Sequence, residues 1–211
     1  MRVLYVTGII VLIDQAAKLF IKGINIPFLH LRHLGIQVGT SIPIVGDFLR
    51  LTFIENPGMA FGIDVGGKLF LTIFSIVASV GIFIYLLKIR QEALVIRLAL
   101  ALILGGAIGN LIDRVFYGVI FGEGSLFYGK VVDFVDVDFF NIDFLGYHIN
   151  RFPVFNVADS SVSIGVVMLL LFHKRFTTAE DANTLATGTV PAPSAPPDLP
   201  LPAAIDRTEG S

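Results

Sequence analysis

The segment LVIRLALALILGGAIGNLI, residues Leu94–Ile112, contains a single charged side chain, Arg97. A helix of about 20 apolar residues rises about 1.5 Å per residue and crosses the roughly 30 Å hydrocarbon core of a bilayer. The segment therefore predicts a transmembrane helix. Three further segments have the same character: Val3–Ile21, Leu69–Leu87 and Val154–Phe172.

The composition of the whole chain agrees with an all-α membrane protein of four transmembrane helices. Hydrophobic residues make up 55% of the 211 residues and charged residues only 15%, against about 25% charged residues in soluble domains. Fifteen basic and 17 acidic residues, with no long basic run, argue against a nucleic-acid partner. The lack of Cys and the four scattered His predict no metal site and no cofactor.

Basic residues predict how the helices are oriented. They flank the first span, fill the short connection between the second and third, and follow the fourth: Arg2, Lys88, Arg90, Arg97, Lys174 and Arg175. By the positive-inside rule these positions are cytoplasmic. Both termini are therefore predicted inside, and the longer connections 22–68 and 113–152 outside. Asp14 and Lys18 in the first span disfavour a cleavable signal peptide.

The first outward connection predicts a small β-rich subdomain between helices 1 and 2. From Asp47 to Glu55, Leu49, Leu51 and Phe53 alternate with other side chains, as in a half-buried strand. We expect this sheet to rest on the membrane surface. Residues 177–211 are rich in Pro, Ala and Thr and predict a disordered cytoplasmic tail, so the transmembrane domain is expected to comprise residues 1–176.

Polar side chains gather at the outward end of three spans. An ionisable group at the bilayer centre costs about 2.5–3.5 kcal/mol on insertion scales, so several at one depth indicate a site. Helical spacing places members of each group on one face. The groups are Asp14, Gln15 and Lys18; Asn110, Asp113 and Arg114; and Asn156, Asp159, Ser160 and Ser163.

Structural interpretations of these residues remain open beside the functional ones. Asp14 and Lys18 are spaced to form an i, i+4 ion pair, and the group ending the third span can simply terminate a helix. The serines Ser160, Ser161 and Ser163 are typical of helix-to-helix hydrogen bonds or of hydrogen bonds back to the carbonyls of their own helix. Solvated loop acids are predicted at Asp136, Asp138 and Asp143, and loop or interface residues at His30, His33, His148 and His173.

The chemistry left to this set is that of two carboxylates. Two acids within about 3–5 Å share one proton, so that one acts as base and the other as acid on a water molecule. Asp159 is the obvious member from the fourth span. The residues alone leave Asp113, Asp133 and Asp136 open as its partner.

Five motifs together resemble the lipoprotein signal peptidase (signal peptidase II) family. They are Ile13-Asp14-Gln15-Ala16-Ala17-Lys18, Glu55-Asn56-Pro57-Gly58-Met59-Ala60-Phe61, Gly105-Gly106-Ala107-Ile108-Gly109-Asn110-Leu111-Ile112-Asp113-Arg114, Val131-Val132-Asp133-Phe134 and Phe155-Asn156-Val157-Ala158-Asp159-Ser160. The resemblance implies that Asp133 and Asp159 form the catalytic dyad of an aspartic endopeptidase. It also implies that other polar residues bind or shape the site around the dyad: Asp14, Lys18, Asn56, Asn110, Asp113, Arg114 and Asn156.

The resemblance further implies the substrate and the location. The substrate is a bacterial prolipoprotein whose Cys carries diacylglycerol, cut just before that Cys at the outer leaflet of the cytoplasmic membrane, with membrane lipid around it. Globomycin-type inhibitors are implied as well.

This chain departs from the family pattern in the 18 residues between Arg114 and Asp133. Shorter members connect these motifs in about half that length, so an extended outer loop that could gate the site is expected here.

A small transporter or proton relay is the main alternative, and a scaffold that uses the polar groups to lock helices is another. The long apolar inner halves of the first, third and fourth spans argue against a polar path through the membrane.

Overall fold

The computed structural model describes residues 1–26, 30–60, 63–64, 67–138, 142–144, 147–149 and 151–172. The main helices are α1 (Val3–Lys22), α2 (Gly67–Lys88), α3 (Leu94–Ile112) and α5 (Val157–Phe172). After α3 the chain continues as a π-helix, Asp113–Tyr117, and a short helix α4, Gly118–Ile120. The predicted tail, together with His173, Lys174, Arg175 and Phe61, lies outside the described residues.

Three of the predicted spans have the length and apolarity needed to cross a bilayer: α1, α2, and α3 with its continuation to Ile120. Their surfaces expose large apolar side chains, such as Leu12 (71% exposed) and Phe74 (62% exposed), as expected where lipid is the solvent. Helix α5 is described over 16 residues and begins at Val157, three residues after the predicted start. Four-span topology therefore stays a prediction.

Helix α3 lies at the centre of the bundle because its glycines admit close neighbours. A Cβ on Gly105 would lie 2.9 Å from Ile10 Cβ of α1, and one on Gly106 would lie 2.3 Å from the Ala158 carbonyl oxygen of α5. A Cβ on Gly109 would lie 2.6 Å from Asp14 Oδ2. The small residues at spacing i, i+4, Gly105 and Gly109, thus bring the C-terminal half of α1 against α3, as small-xxx-small pairs do.

The opposite end of the bundle is apolar. Side chains from α1, α2 and α3 pack into one buried cluster there, comprising Val3, Leu86, Ile89, Ile96, Leu100, Ala101 and Leu104. The polar groups lie beyond it, towards the ends of α1 and α3 that meet the β-strands. The two ends of the bundle therefore differ in chemistry, as the sequence predicts.

The strands are short and antiparallel. They are β1 (Ile24–Ile26), β2 (Leu31–His33), β3 (Ser41–Val45), β4 (Leu49–Asn56), β5 (Met59–Ala60), β6 (Ile63–Asp64), β7 (Val131–Val137), β8 (Ile142–Phe144) and β9 (Tyr147–Ile149). The largest sheet has the order β3-β4-β7. The predicted β-rich subdomain is thus present, but it is not confined to the segment between α1 and α2, because β7 comes from the connection after α3.

The connection predicted as a loop over 113–152 is partly regular. Its first residues extend the third helix to Ile120, and the chain then folds back, with Phe127 N donating to Val115 O (3.0 Å) and Gly129 N to Arg114 O (2.9 Å). A Cβ on Gly129 would lie 2.0 Å from the Asp113 carbonyl oxygen, so only glycine fits there. This return delivers the chain to β7, which carries Asp133.

Candidate active site

Asp133 and Asp159 come from different elements and meet through Asn156. Asp133 lies on β7, and Asp159 lies in the first turn of α5. The Asn156 side-chain amide donates to Asp133 Oδ1 (2.7 Å), while its backbone N–H donates to Asp159 Oδ2 (3.2 Å). One fully buried asparagine therefore touches both carboxylates.

The same asparagine begins α5. Its side-chain oxygen accepts from Asp159 N (2.9 Å), and this bond together with the return bond from Asn156 N forms a reciprocal capping box. A carboxylate in the first turn of a helix is also favoured by the helix dipole. The spacing Asn156-x-x-Asp159 is the sequence signal for this cap.

Two further amides complete the donors to the carboxylates. Asn110 Nδ2 donates to Asp159 Oδ1 (2.8 Å), and Asn56 Nδ2 donates to Asp133 Oδ2 (3.2 Å). Among the described residues, neither carboxylate forms an ion pair with a lysine or arginine. In the part of the chain that the structure describes, their hydrogen-bond donors are amide N–H groups.

Burial raises the pKa of Asp133, and the charge of Asp159 raises it further, to about 7. Hydrogen bonds from Asn56 and Asn156 act in the opposite direction but are weaker. A carboxyl with this pKa holds a proton near neutral pH, whereas an ordinary Asp side chain is ionised. The arrangement can thus keep one proton in the pair at neutral pH.

A second cluster of charges lies behind the pair and is centred on Lys18. The Lys18 ammonium is fully buried and donates to Asp14 Oδ2, Asp113 Oδ2 and Asn110 Oδ1, each at 2.8 Å. All three of its hydrogens therefore have acceptors. The Asp14–Lys18 ion pair that the spacing predicted is present, but it belongs to this larger network.

The two acids of the Lys18 cluster each bind the backbone one residue before a site carboxylate. Asp14 Oδ1 accepts from Ala158 N (2.9 Å), and Asp113 Oδ2 accepts from Val132 N (3.2 Å). Lys18 thus connects the backbone next to Asp159 with the backbone next to Asp133. The cluster fixes β7 and α5 relative to each other.

Arg114 lies beside the pair without bonding to it. Its Nη1 atom donates weakly to Ser75 Oγ of α2 (3.4 Å), and its buried Nε has no hydrogen-bond partner among the described residues. Its charge interacts with Asp133 and Asp159. A cavity of about 420 Å³ adjoins Asp159 and is lined by Phe152, Phe155, Asp159, Ser160, Ser163 and Ile164.

The structure brings the residues of the predicted site together at this end of the bundle: Asp14, Lys18, Asn56, Asn110, Asp113, Arg114, Asp133, Asn156 and Asp159. The prediction of a solvated Asp136 is wrong, because Asp136 is 5% exposed and accepts from Thr52 Oγ1 (2.5 Å) and Arg151 Nε (2.8 Å). These partners come from β4 and from the chain before α5, which no local pattern reveals. Asp138 is partly exposed, and the side chain of Asp143 lies outside the described set.

The serines and histidines occupy less central positions. Ser160 Oγ donates to Asn156 O (2.9 Å) and Ser161 Oγ to Leu102 O (2.8 Å), as the structural interpretation predicts. His30 and His33 are exposed, and the side chains of His148 and His173 are not described. No group of three or more acidic or histidine side chains among the described residues is placed to hold a metal ion.

Tyr117 is not among the predicted site residues, and Gln15 is predicted only as part of the polar group of the first span, with no role of its own. Gln15 Nε2 donates to Asp113 Oδ1 (2.9 Å), and the Tyr117 hydroxyl donates to Gln15 Oε1 (3.0 Å). Gln15 lies within a quoted motif, next to Asp14, which is the signal that points to it. Tyr117 lies in the segment where the chain departs from the family pattern, and nothing in the sequence indicates its role.

Comparison with solved structures defines the class of protein first. Two structures of bacterial membrane enzymes match with TM-scores of 0.59 and 0.61 at 29% and 30% identity. They cover 84% and 81% of this chain, and 90% of each matched chain. The chain thus has the fold of a bacterial membrane enzyme.

Sequence comparison identifies the family. The family model of signal peptidase (SPase) II matches residues 6–175. A lipoprotein signal peptidase of Porphyromonas gingivalis is 34% identical over 86% of this chain and 87% of its own length. One of Chlorobaculum tepidum is 37% identical over 81% and 97%. The chain belongs to the signal peptidase II family of peptidases, which confirms the resemblance seen in its motifs.

Proposed function

We propose that this protein removes the signal peptide from diacylglyceryl-modified bacterial prolipoproteins by cutting the peptide bond before the lipidated Cys. Family membership supports the substrate and the reaction. The observation that carries the chemistry is the contact of Asn156 with both Asp133 and Asp159. In this proposal the four helices span the cytoplasmic membrane, both termini are cytoplasmic, and the site lies near the outer leaflet.

Asp159 acts as the base and Asp133 as the acid. Asp159 sits at a helix N-terminus and receives two N–H donors, which suits an ionised carboxylate. Asp133, whose pKa is raised to about 7, holds the shared proton. Because the two acids titrate as a pair, the activity should report the pair rather than either residue alone.

The reaction needs only water and this pair. Asp159 removes a proton from a water molecule while the water oxygen attacks the scissile carbonyl carbon, and Asp133 donates its proton to the carbonyl oxygen. The tetrahedral intermediate then collapses. Its C–N bond breaks, the Cys amine takes the proton from Asp159, and Asp133 recovers its proton from the hydroxyl of the intermediate.

The remaining polar residues orient these two acids and the substrate. Asn56, Asn110 and Asn156 fix the carboxylates through the amide contacts described above, and Asp14, Lys18 and Asp113 fix the elements behind them. The buried Nε of Arg114 has no acceptor in the described part of the chain, which suits a carbonyl of the substrate backbone or of its lipid ester. The cavity beside Asp159, bordered by Phe152 and Ile164, is open to apolar parts of the substrate.

A transporter or proton relay is not favoured. Such a protein requires polar side chains through the depth of the bundle, whereas the end opposite the site is filled by Leu86, Ile96, Leu104 and their apolar neighbours.

A cleavage assay tests the proposal. Purified protein is incubated with diacylglyceryl-modified prolipoprotein and with the unlipidated precursor, with and without globomycin. We expect cleavage of the lipidated substrate only, inhibited by globomycin, and a loss of at least about 1,000-fold in Asp133→Asn and in Asp159→Asn. Asp138→Asn is the matched control, since it makes the same change on a partly exposed acid of the same segment.

Cleavage that survives either substitution at the pair removes the dyad assignment. Cleavage of the unlipidated precursor at an equal rate removes the assigned substrate.

A further inference from the structure

The pairing of β4 with β7 changes register shortly before it reaches the site. Leu51 pairs with Val135, but the next pair is Ile54 with Asp133. Two residues of β4, Thr52 and Phe53, therefore oppose the single residue Phe134, which is the arrangement of a β-bulge. Bulges re-aim the side chains that follow them.

Beyond the bulge only three residue pairs remain. They are Ile54 with Asp133, Glu55 with Val132 and Asn56 with Val131. In this register Asn56 lies diagonal to Asp133 on the same face, and diagonal neighbours are within reach of each other. A slip of one residue would turn Asn56 to the opposite face, and its bond to Asp133 Oδ2 would be lost.

Glu55 lies on the other face of the same short segment and is gripped by two lysines. Its Oε2 accepts from Lys130 Nζ (2.5 Å), and its Oε1 accepts from Lys22 Nζ. Lys130 immediately precedes β7, so the Glu55–Lys130 pair crosses the two strands diagonally, as Asn56–Asp133 does on the opposite face. The Glu55 side chain is only 10% exposed, which limits screening by solvent.

The charge of Glu55 is well compensated. Burial acts to raise the pKa of Glu55, but hydrogen bonds from Lys130 and Lys22 lower it below its usual value. Lys22 is also paired with Glu123 (2.7 Å), in the segment between Arg114 and Asp133. These ion pairs thus connect β4, the start of β7, the end of α1 and the segment that contains Glu123.

Strand β7 already has an anchor of its own, the bond from Val132 N to Asp113 Oδ2. For strand β4, the ion pairs of Glu55 are the corresponding anchor beyond the bulge. We propose that Glu55, through Lys130 and Lys22, sets the register of β4 against β7 after the bulge and is thereby a positioning residue for Asn56 at Asp133. This inference rests on the proposed peptidase function for its kinetic consequences, but not for its structural ones.

A double-mutant cycle tests the inference by kinetics. Glu55→Gln is expected to lower kcat about tenfold with little change in KM. The substitution does not delete the hydrogen bond from Asn56 to the Asp133 carboxyl, but it weakens that bond by loosening the strand register. Asn56→Ala should lower kcat at least as much. Because Glu55 acts through Asn56, the double variant should match Asn56→Ala within about twofold.

Two further variants complete the kinetic test. Lys130→Met removes the lysine that binds Glu55 Oε2, at a partly exposed position, and should lower kcat as Glu55→Gln does. Asp47→Asn breaks an exposed ion pair with Arg50 in the same sheet and should leave kcat unchanged.

Hydrogen exchange of the purified protein gives a readout that needs no substrate. In Glu55→Gln and Lys130→Met, amides of residues 54–56 should exchange faster, while those of residues 49–51, before the bulge, stay protected. This difference also separates a local change of register from general unfolding.

The outcomes are distinct. The inference is overturned if the losses of kcat in Glu55→Gln and Asn56→Ala multiply in the double variant. It is also overturned if hydrogen exchange at residues 54–56 is unchanged in both Glu55→Gln and Lys130→Met. If the wild-type protein fails to cleave the lipidated substrate, the proposed function falls, and the exchange result still decides the role of Glu55.

Discussion

Two pairs of buried carboxylates lie at the same end of this bundle, and they are held in opposite ways. Asp14 and Asp113 share the Lys18 ammonium and have no exposed surface. Among the residues that the structure describes, Asp133 and Asp159 accept hydrogen bonds only from amide N–H groups, and Asp159 is partly exposed. The Lys18 ammonium ties the first pair into a structural network. The second pair, which no lysine or arginine contacts directly in the part of the chain that the structure describes, is suited to share a proton.

The difference separates rigidity from reactivity. The Lys18 cluster holds the backbone beside each site carboxylate through Ala158 N and Val132 N, so it positions the acids without using them up. A site carboxylate bound to lysine would be a poor proton acceptor. Because the Lys18 ammonium binds Asp14 and Asp113 instead, it can position the site without reducing the ability of Asp133 and Asp159 to exchange protons.

Loss of the Lys18 ammonium, which distinguishes the first pair of carboxylates from the second, should have the largest effect on stability. Lys18→Met leaves Asp14 and Asp113 buried without a counter-charge, and we expect a loss of about 3–5 kcal/mol in the free energy of unfolding. Thermal unfolding in detergent measures it. Lys88→Met, at an exposed lysine ending α2, is the control; equal stability of the two variants would contradict the role of Lys18.

Loss of the Asn156 side chain, which contacts both members of the second pair, should lower activity. Asn156→Ala deletes the helix cap and the donor to Asp133, and a hydrogen bond to a charged group is worth about 1.5–3 kcal/mol. We expect kcat to fall about 10- to 100-fold, with KM largely unchanged. Steady-state cleavage kinetics measure this, with Asn25→Ala, at an exposed position of β1, as the control. A loss confined to KM would show that Asn156 binds substrate instead.

Both pairs depend on the close approach of α5 to α3, which Gly106 permits. Gly106→Ala places a Cβ 2.3 Å from the Ala158 carbonyl oxygen, and overpacking of this kind costs about 1–3 kcal/mol. Gly81→Ala on α2 meets nothing within 4 Å and serves as the matched control in the same unfolding assay. Equal stability of the two variants would argue against this packing.

The smallest effect is expected away from both pairs. Ser161→Ala removes the bond to Leu102 O (2.8 Å), and interhelical hydrogen bonds of this kind average about 0.6 kcal/mol. A small fall in unfolding temperature with unchanged kcat is expected. A large fall in kcat would place Ser161 in the site.

Much of this architecture could be predicted from the sequence, because the spans and the polar stripes are local patterns. The apolar run of Leu94–Ile112 defines a helix by itself, and Gly105 and Gly109 indicate where a neighbour approaches. The motifs also point to Asn56, Asn110 and Asn156. Their contacts with the two acids could not be derived from spacing alone.

The rest depends on pairings between distant segments. Asp133 reaches the site because β7 joins β4 across 77 residues. The burial of Asp136 follows from Thr52, 84 residues away, and from Arg151, 15 residues away. Lys18 finds its acceptors on two other turns of helix. The continuation of α3 to Ile120 ends in a glycine cap, because Gly122 has a φ of 67° and donates to Val119 O (3.2 Å), while Glu123 N donates to Gly118 O (2.8 Å). Gly122 was therefore a sequence signal for this helix end, but the apolar run that ends at Ile112 gave no sign that the helix continues to it.

The pH dependence of cleavage tests most directly whether Asp133 and Asp159 share a proton. We predict a bell-shaped profile of kcat/KM: activity falls at low pH as the base takes a proton, and it falls again as the pH rises past about 7, the raised pKa of Asp133, because the acid is lost. Asn56→Ala removes a bond that favours the ionised Asp133, so its alkaline limb should move to higher pH. A rate that does not change between about pH 4 and pH 8 would contradict the shared proton.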